Sequence, residues 1–269
     1  MLAKLMKYEI KATARWFLPL YVSILFFAIL NKLIFINPLM NKSAISDNDS
    51  FLLIVREIIS SLSMFIYVVL LIGIFVATLI VVIQRFYKNL LGSEGYLMFT
   101  LPVKSWQHII NKLFVAMLWS IVSLLVAFCS IIILIPNKDL TKIPYALAQI
   151  MDFFGTSGIV ITLLFAILTL IHGILKIYTA ISLGHLFNKH KLLLSFAMYL
   201  GLDTISQFVS FLTIAIVAKA AFVPFDDILE GAVHHFKYFL TTATAITAVF
   251  SVAYFILTGF IIKRKLNLE

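Results

Sequence analysis

One cysteine, ten glycines and twelve acidic side chains are all that 269 residues supply of three chemically useful kinds. A single cysteine, Cys129, excludes a disulfide within the chain. None of the glycines opens a G-x-x-x-x-G-K-[ST] phosphate loop, so ATP is not bound in that way. No H-E-x-x-H run, no Cys/His metal spacing and no G-x-S-x-G elbow is present, which removes the usual metallohydrolase and serine-hydrolase chemistries. Paired acids inside the apolar runs, as a membrane protease or a proton pump would need, are missing as well. The chain is therefore expected to be no enzyme and to hold no cofactor of its own.

Apolar residues are what the sequence has in quantity. They make up 62% of it, the mean hydropathy is +1.09, and only 12% of residues are charged. A soluble domain of this length could not bury so much apolar surface in one core. The charges are also gathered into clusters. None falls between Glu57 and Arg85, Lys112 and Lys138, Asp152 and Lys176, or Lys237 and Lys263. Leu192 to Ala218 is interrupted only by Asp203, and Trp16 to Ile36 only by Lys32 near its end. Each window reaches the roughly 20 residues that carry a helix across about 30 Å of hydrocarbon. The fold class is thus an all-α integral membrane protein with six transmembrane helices, at 16–36, 57–86, 105–135, 155–187, 192–218 and 238–262. Cys129 lies in the third.

The net charge of +9 would suggest nucleic acid in a soluble protein, but here its distribution is topological. With the N-terminus inside, 14 of the 21 basic residues fall on the cytosolic side, while Asp47, Asp49, Asp139, Asp226, Asp227 and Glu230 fall outside. That bias follows the positive-inside rule and predicts a multi-pass protein of the cell membrane with both termini cytosolic and no nucleic-acid partner. The first apolar run has 15 residues before it and no small-residue cleavage pattern after it, which reads as an uncleaved anchor.

Residues 1–15 form a separate expectation. Lys4, Lys7, Lys11 and Arg15 recur at helical spacing on one face, opposite Leu2, Leu5, Met6 and Ile10. This pattern predicts an interfacial amphipathic helix on membrane lipid, with Trp16 marking where the chain turns into the bilayer; a solvated basic flank is the plainer alternative. Residues 219–237 are too polar to span and too apolar to be slack loop, so a short outer re-entrant helical hairpin is predicted there.

A few polar groups lie inside the apolar runs. Asp203 stands midway along the fifth, where an ionised carboxylate is costly; it is either a pathway contact or an acid neutralised by its surroundings. His172 and Lys176, one turn apart in the fourth run, read as a snorkelling lysine beside a polar neighbour. Thr241, Thr244, Thr247 and Ser251 make a polar stripe that marks helix packing or lines a cavity. Asp227, Glu230 and His234 share one helical face with metal-capable groups, a spacing that a solvated face also produces.

Between the second and third runs lies NLLGSEGYLMFTLPVKSWQ, Asn89 to Gln107. Ser93 is suited to an N-cap, and Pro102 ends whatever helix follows. The two turns between expose Tyr96, Leu97, Met98 and Phe99, beside Glu94 and Gly95. A compact aromatic and Met-bearing patch rimmed by charge is typical of a surface that docks a partner; a loop dipping into lipid is the alternative.

On these residues the chain resembles a permease subunit of bacterial ABC-2-type transporters. The specific part is E-G-Y-L-x-F-T-L-P at Glu94 to Pro102, within FYKNLLGSEGYLMFTLPVKSWQHIINKL, as found in a branch common in Gram-positive bacteria that includes exporters of amphipathic and antimicrobial peptides. The resemblance implies one transmembrane permease domain over 1–269 and a cytosolic coupling helix at 93–102. That helix would dock on a separate ABC ATPase, present in two copies, which binds the ATP and magnesium. It also implies that the N-terminal helix approaches the ATPase, that 219–237 forms short outer helices, and that a second permease copy or a paralogue completes the transporter. Hydrophobic or amphipathic cargo, such as peptides or drugs, is then expected. An ATPase-independent secondary carrier using Asp203, or a membrane protein conferring bacteriocin immunity, is the rival reading.

Overall fold

The computed structural model describes residues 2–36, 50–92, 105–187, 189–220 and 228–264. Helix accounts for 96% of these, with no strand among them. The elements are α1 (Leu2–Ile36), α2 (Ser50–Phe86, continued by a π-helical turn, Tyr87–Leu91), α3 (Ser105–Leu134), the short α4 (Asn137–Leu140), α5 (Lys142–Gly184), α6 (Lys191–Ala220) and α7 (Ile228–Arg264). All but α4 are long and apolar enough to cross a membrane, so six such helices are present.

Two features depart from expectation. Residues 2–15 run without a break into the first apolar run, since α1 is one helix of 35 residues, about 52 Å at 1.5 Å per residue. Nothing before Pro19 interrupts the backbone hydrogen bonding, and the buried stripe Glu9, Thr13, Phe17, Tyr21 runs unbroken from this segment into the apolar run. Similarly, α6 reaches Ala220 and α7 begins at Ile228, so the second half of the outer segment expected at 219–237 is the first turns of α7. Residues 221–227 lie outside the described residues.

The fold comprises two compact units. One comprises Met1–Leu2, Val82–Met117 and Ala146–Glu269; the other comprises Ala3–Val81 and Leu118–Tyr145. In the second unit three helices share a seam of neutral polar groups. Trp119 Nε1 donates to Thr13 Oγ1 at 2.7 Å, and its ring stacks on Phe17 at 4.6 Å. The hydroxyls of Tyr21 and Thr78 both meet Ser123 Oγ, at 2.8 and 2.9 Å, and Tyr67 meets Ser130 at 3.0 Å. Hydrocarbon offers apolar side chains no reason to leave it, so packing and interhelical hydrogen bonds of this kind hold membrane helices together, at roughly 0.6–2 kcal/mol per bond.

The first unit is built on the end of α2, the start of α3, and α5 to α7. Phe86 stacks on Tyr178 at 4.0 Å, and Leu90, Leu91, Ile109, Ile174 and Tyr254 close the core around them. α5 is kinked at Gly155, whose φ of 64° and ψ of 169° suit only glycine. The expected start of the fourth span thus coincides with a true backbone corner, and residues 142–154 form a helix of their own before it.

At the other end of α5, Gly184 lies against Ser195 of α6. A Cβ on Gly184 would fall 2.6 Å from the backbone nitrogen and Cα of Ser195, so only a hydrogen side chain lets the helices approach this closely. Gly184→Ala should force them apart at a cost of about 1–3 kcal/mol, seen as a lower thermal midpoint in detergent.

The turn closing this hairpin carries His185, whose ring meets Tyr87 edge-on at 4.9 Å and whose Nδ1 lies 3.3 Å from the Ile181 carbonyl. Burial holds its pKa below the ordinary imidazole range; the Ile181 carbonyl opposes that shift and the charge of Lys191 reinforces it. The folded state therefore binds fewer protons than the unfolded one. The contribution of His185 is complete above its ordinary pKa of about 6.5 and declines as the pH falls below it. Between pH 7.5 and 5.5 the thermal midpoint should fall more steeply for the native chain than for His185→Gln.

Candidate functional site

The hairpin of α5 and α6 brings together the polar groups that sequence alone leaves apart. Lys176 precedes Gly184 by eight residues, and Asp203 follows Ser195 by eight. Two antiparallel helices touching at Gly184 and Ser195 bring those side chains level, about 12 Å further along. The Lys176 ammonium donates to Asp203 Oδ1 and closes an ion pair. Asp203 Oδ2 accepts from Gln207 Nε2 at 2.6 Å, and the ammonium lies 5.2 Å from the centre of the Tyr199 ring. Lys176 is buried, while 28% of the Asp203 side chain stays exposed.

Further side chains from α5 and α7 surround the pair. His172, one turn before Lys176, packs against the rings of Tyr254 at 5.3 Å and Phe250 at 6.2 Å. Its Nδ1 is buried with no hydrogen-bond partner among the described residues. Tyr254 Oη donates to the Leu202 carbonyl at 3.3 Å, next to Asp203. Below it the fully buried hydroxyls of Thr179 and Thr258 lie 2.9 Å apart. The site therefore joins a charge pair, an imidazole with an unused nitrogen and two phenols within apolar helices, with Lys176 two turns from the end of α5. Its chemistry is a cross-link between α5 and α6 that opens if the carboxylate gains a proton or a competing cation. Ionisable groups at such depth mark pathways and relays far more often than they mark packing.

The other residues singled out in the sequence fall elsewhere. Glu94, Gly95, Tyr96, Leu97, Met98, Phe99 and Asp227 lie outside the described residues, as do the side chains of Lys4 and Glu230. Lys7, Lys11, Arg15 and Trp16 are exposed on α1, as a basic face requires. Thr241, Thr244 and Thr247 each donate to the carbonyl four residues back, at 2.6–2.8 Å, so their hydroxyl protons are spent within α7. Phe250 and Tyr254 of the same helix pack against His172, beside the ion pair. His234 packs against Tyr238 at 4.6 Å, and no group of three or more metal-capable side chains is assembled among the described residues.

Sequence reasoning named Asp203, His172 and Lys176 but paired none across helices, and it passed over Tyr199, Gln207 and Tyr254. The signal available was the spacing of Gln207 and Tyr199, each four residues from Asp203 on α6. No known protein family, curated protein or solved structure matches this chain.

Proposed function

We propose that this chain is the membrane-spanning subunit of an ATP-driven exporter. Two permease copies, or this chain and a related one, join two separately encoded ATPase subunits that bind ATP and magnesium. The observation that carries this is the E-G-Y-L-x-F-T-L-P core at Glu94–Pro102, held between the ends of two long helices. α2 is about 55 Å long at 1.5 Å per residue, well beyond the hydrocarbon thickness, before its π turn begins. Leu90 and Leu91 of that turn and Ile109 of α3 are buried in one core. In this reading the helix ends on either side of the segment carry a push from the ATPase into the membrane-spanning part.

Glu94, Tyr96 and Phe99 form the joint with the ATPase, and the absence of a phosphate loop is why such a partner is needed. Charge bias supports a bacterial cell membrane with both termini cytosolic. The apolar character of the helices suits hydrophobic or amphipathic cargo, peptides or drugs. Affinity purification of the tagged chain from its native host tests the partner: a phosphate-loop ATPase should accompany it, and a transport-competent chain with no such companion contradicts the proposal.

A proton-driven carrier is the second reading, favoured by the cluster of His172, Lys176 and Asp203. It requires gradient-driven transport without a partner, lost in Asp203→Asn; transport unaffected by that change sinks it.

A further inference from the structure

α5 is too long to be one span. At 1.5 Å per residue its 43 residues measure about 64 Å, twice the roughly 30 Å of hydrocarbon. The corner at Gly155 divides it. Residues 156–184 alone reach about 43 Å and cross unaided, which leaves 142–154 with no part in the span. This leading segment, KIPYALAQIMDFF, is a helix in its own right. Pro144 falls in its first turn, where a missing N–H does no harm, and Ala146, Leu147, Ala148 and Gln149 are helix formers. Gly155 ends it through its positive φ.

Residues of this helix sort by face. Ile143, Leu147, Ile150 and Phe154 recur at steps of four, three and four and make one apolar stripe. Lys142, Tyr145, Gln149 and Asp152 recur at steps of three, four and three and make a polar one. The polar side is solvated: Lys142 pairs with Asp139 at 2.6 Å, and 76% and 49% of these two side chains are exposed. A charge pair so open does not sit in hydrocarbon. The apolar side is largely uncovered by protein, with Leu147 54% and Ile150 49% exposed. Its last member, Phe154, packs on Phe236 of α7 at 5.3 Å. The stem of Lys237 lies over the corner, and its ammonium is 3.9 Å from where a Cβ on Gly155 would stand. That puts a cation at the C-terminal end of the short helix, where the helix dipole favours it. The same ammonium marks the level at which a charge meets headgroups and water, and the span starts from that level.

We infer that residues 142–154 lie in the plane of the bilayer surface on the side where α5 begins, with the Ile143–Leu147–Ile150–Phe154 stripe sunk among lipid acyl chains and the Lys142–Tyr145–Gln149–Asp152 stripe in water. An exposed apolar stripe opposite a charged one is the pattern of an interfacial helix, and the span that follows Gly155 holds this one beside its lipid surface. The inference rests on the helices crossing a bilayer and not on the ATPase partner, so its failure leaves the exporter proposal standing.

The test is spin-label accessibility on the full chain in nanodiscs of phosphatidylcholine and phosphatidylglycerol, in a Cys129→Ala background. Single labels enter through Leu147→Cys, Gln149→Cys, Ile150→Cys and Asp152→Cys. Collisions with a water-soluble nickel chelate should be roughly tenfold rarer at 147 and 150 than at 149 and 152, as for a face sunk about 5–10 Å into the headgroup boundary. Collisions with oxygen should show the reverse order. Leu147→Glu with Ile150→Glu should lift the helix, so that a label at Met151→Cys meets nickel as often as one at Gln149→Cys. Equal nickel access at all four positions would place the helix in water. Low access to both probes at 147 and 150 would place that face against protein, a second copy included. Either result overturns the inference, and so does a label at 151 that is indifferent to the two glutamates. These positions are exposed, so the labelled variants should keep the native helical circular-dichroism spectrum.

Discussion

Lys176→Met should destabilise the folded chain by about 1–3 kcal/mol, because it leaves the partly exposed Asp203 carboxylate with Gln207 as its remaining donor among the described residues. Removing one member of a buried pair costs more than the pair is worth, since the other charge is left without compensation. The loss of the pair leaves α5 and α6 joined by packing alone. Lys176→Met with Asp203→Leu removes both charges and should recover most of the loss. The recovery, read as a non-additive double-mutant cycle on thermal midpoints in detergent, isolates the pair from general packing damage. A double variant that is simply the sum of the two singles would show that the charges do not act together.

The second large effect is functional. Tyr96→Ala with Phe99→Ala should weaken ATPase capture by roughly 30-fold or more, since buried aromatic anchors each carry about 2 kcal/mol or more at protein interfaces. Membrane insertion and thermal midpoint should stay near those of the native chain, because the substitutions fall in sequence between the apolar runs of α2 and α3 and leave both runs unchanged. Quantitative pull-down against the purified ATPase gives the affinity. Unchanged capture and unchanged stimulation of ATP hydrolysis in that variant would move the docking surface elsewhere.

Much of the architecture was legible in the sequence, because each membrane-length helix announces itself as a window with at most one charge. Where helices stop was less legible. Composition shows where a helix meets water but not whether its backbone breaks there, so Leu2–Ile36 reads as two elements and folds as one. For the same reason the first turns of α7 were read as part of a short outer helical hairpin. Gly155 was the opposite case: a span boundary drawn from polarity fell on a residue whose backbone only glycine adopts readily.

The candidate site was half visible. Asp203 and Lys176 were each conspicuous as charges in apolar runs, but their pairing depends on the closeness of α5 and α6. That closeness is set by Gly184 facing Ser195, a contact between residues that carry no chemistry of their own. Once the contact is fixed, equal steps of eight residues put ammonium and carboxylate side by side. The threonine stripe carries less information. A hydroxyl on a helix is satisfied most cheaply by its own backbone, so its spacing carries little information about a pathway.

The central claim is that this chain is moved by ATP hydrolysed on another subunit. Proteoliposomes containing the chain and its co-purified ATPase, loaded with a fluorescent amphipathic peptide, test it most directly. Transport should require ATP and magnesium, proceed without a proton gradient, and vanish when Tyr96 and Phe99 are both alanine. Transport by the chain alone, driven by a proton gradient and abolished by Asp203→Asn, would contradict it.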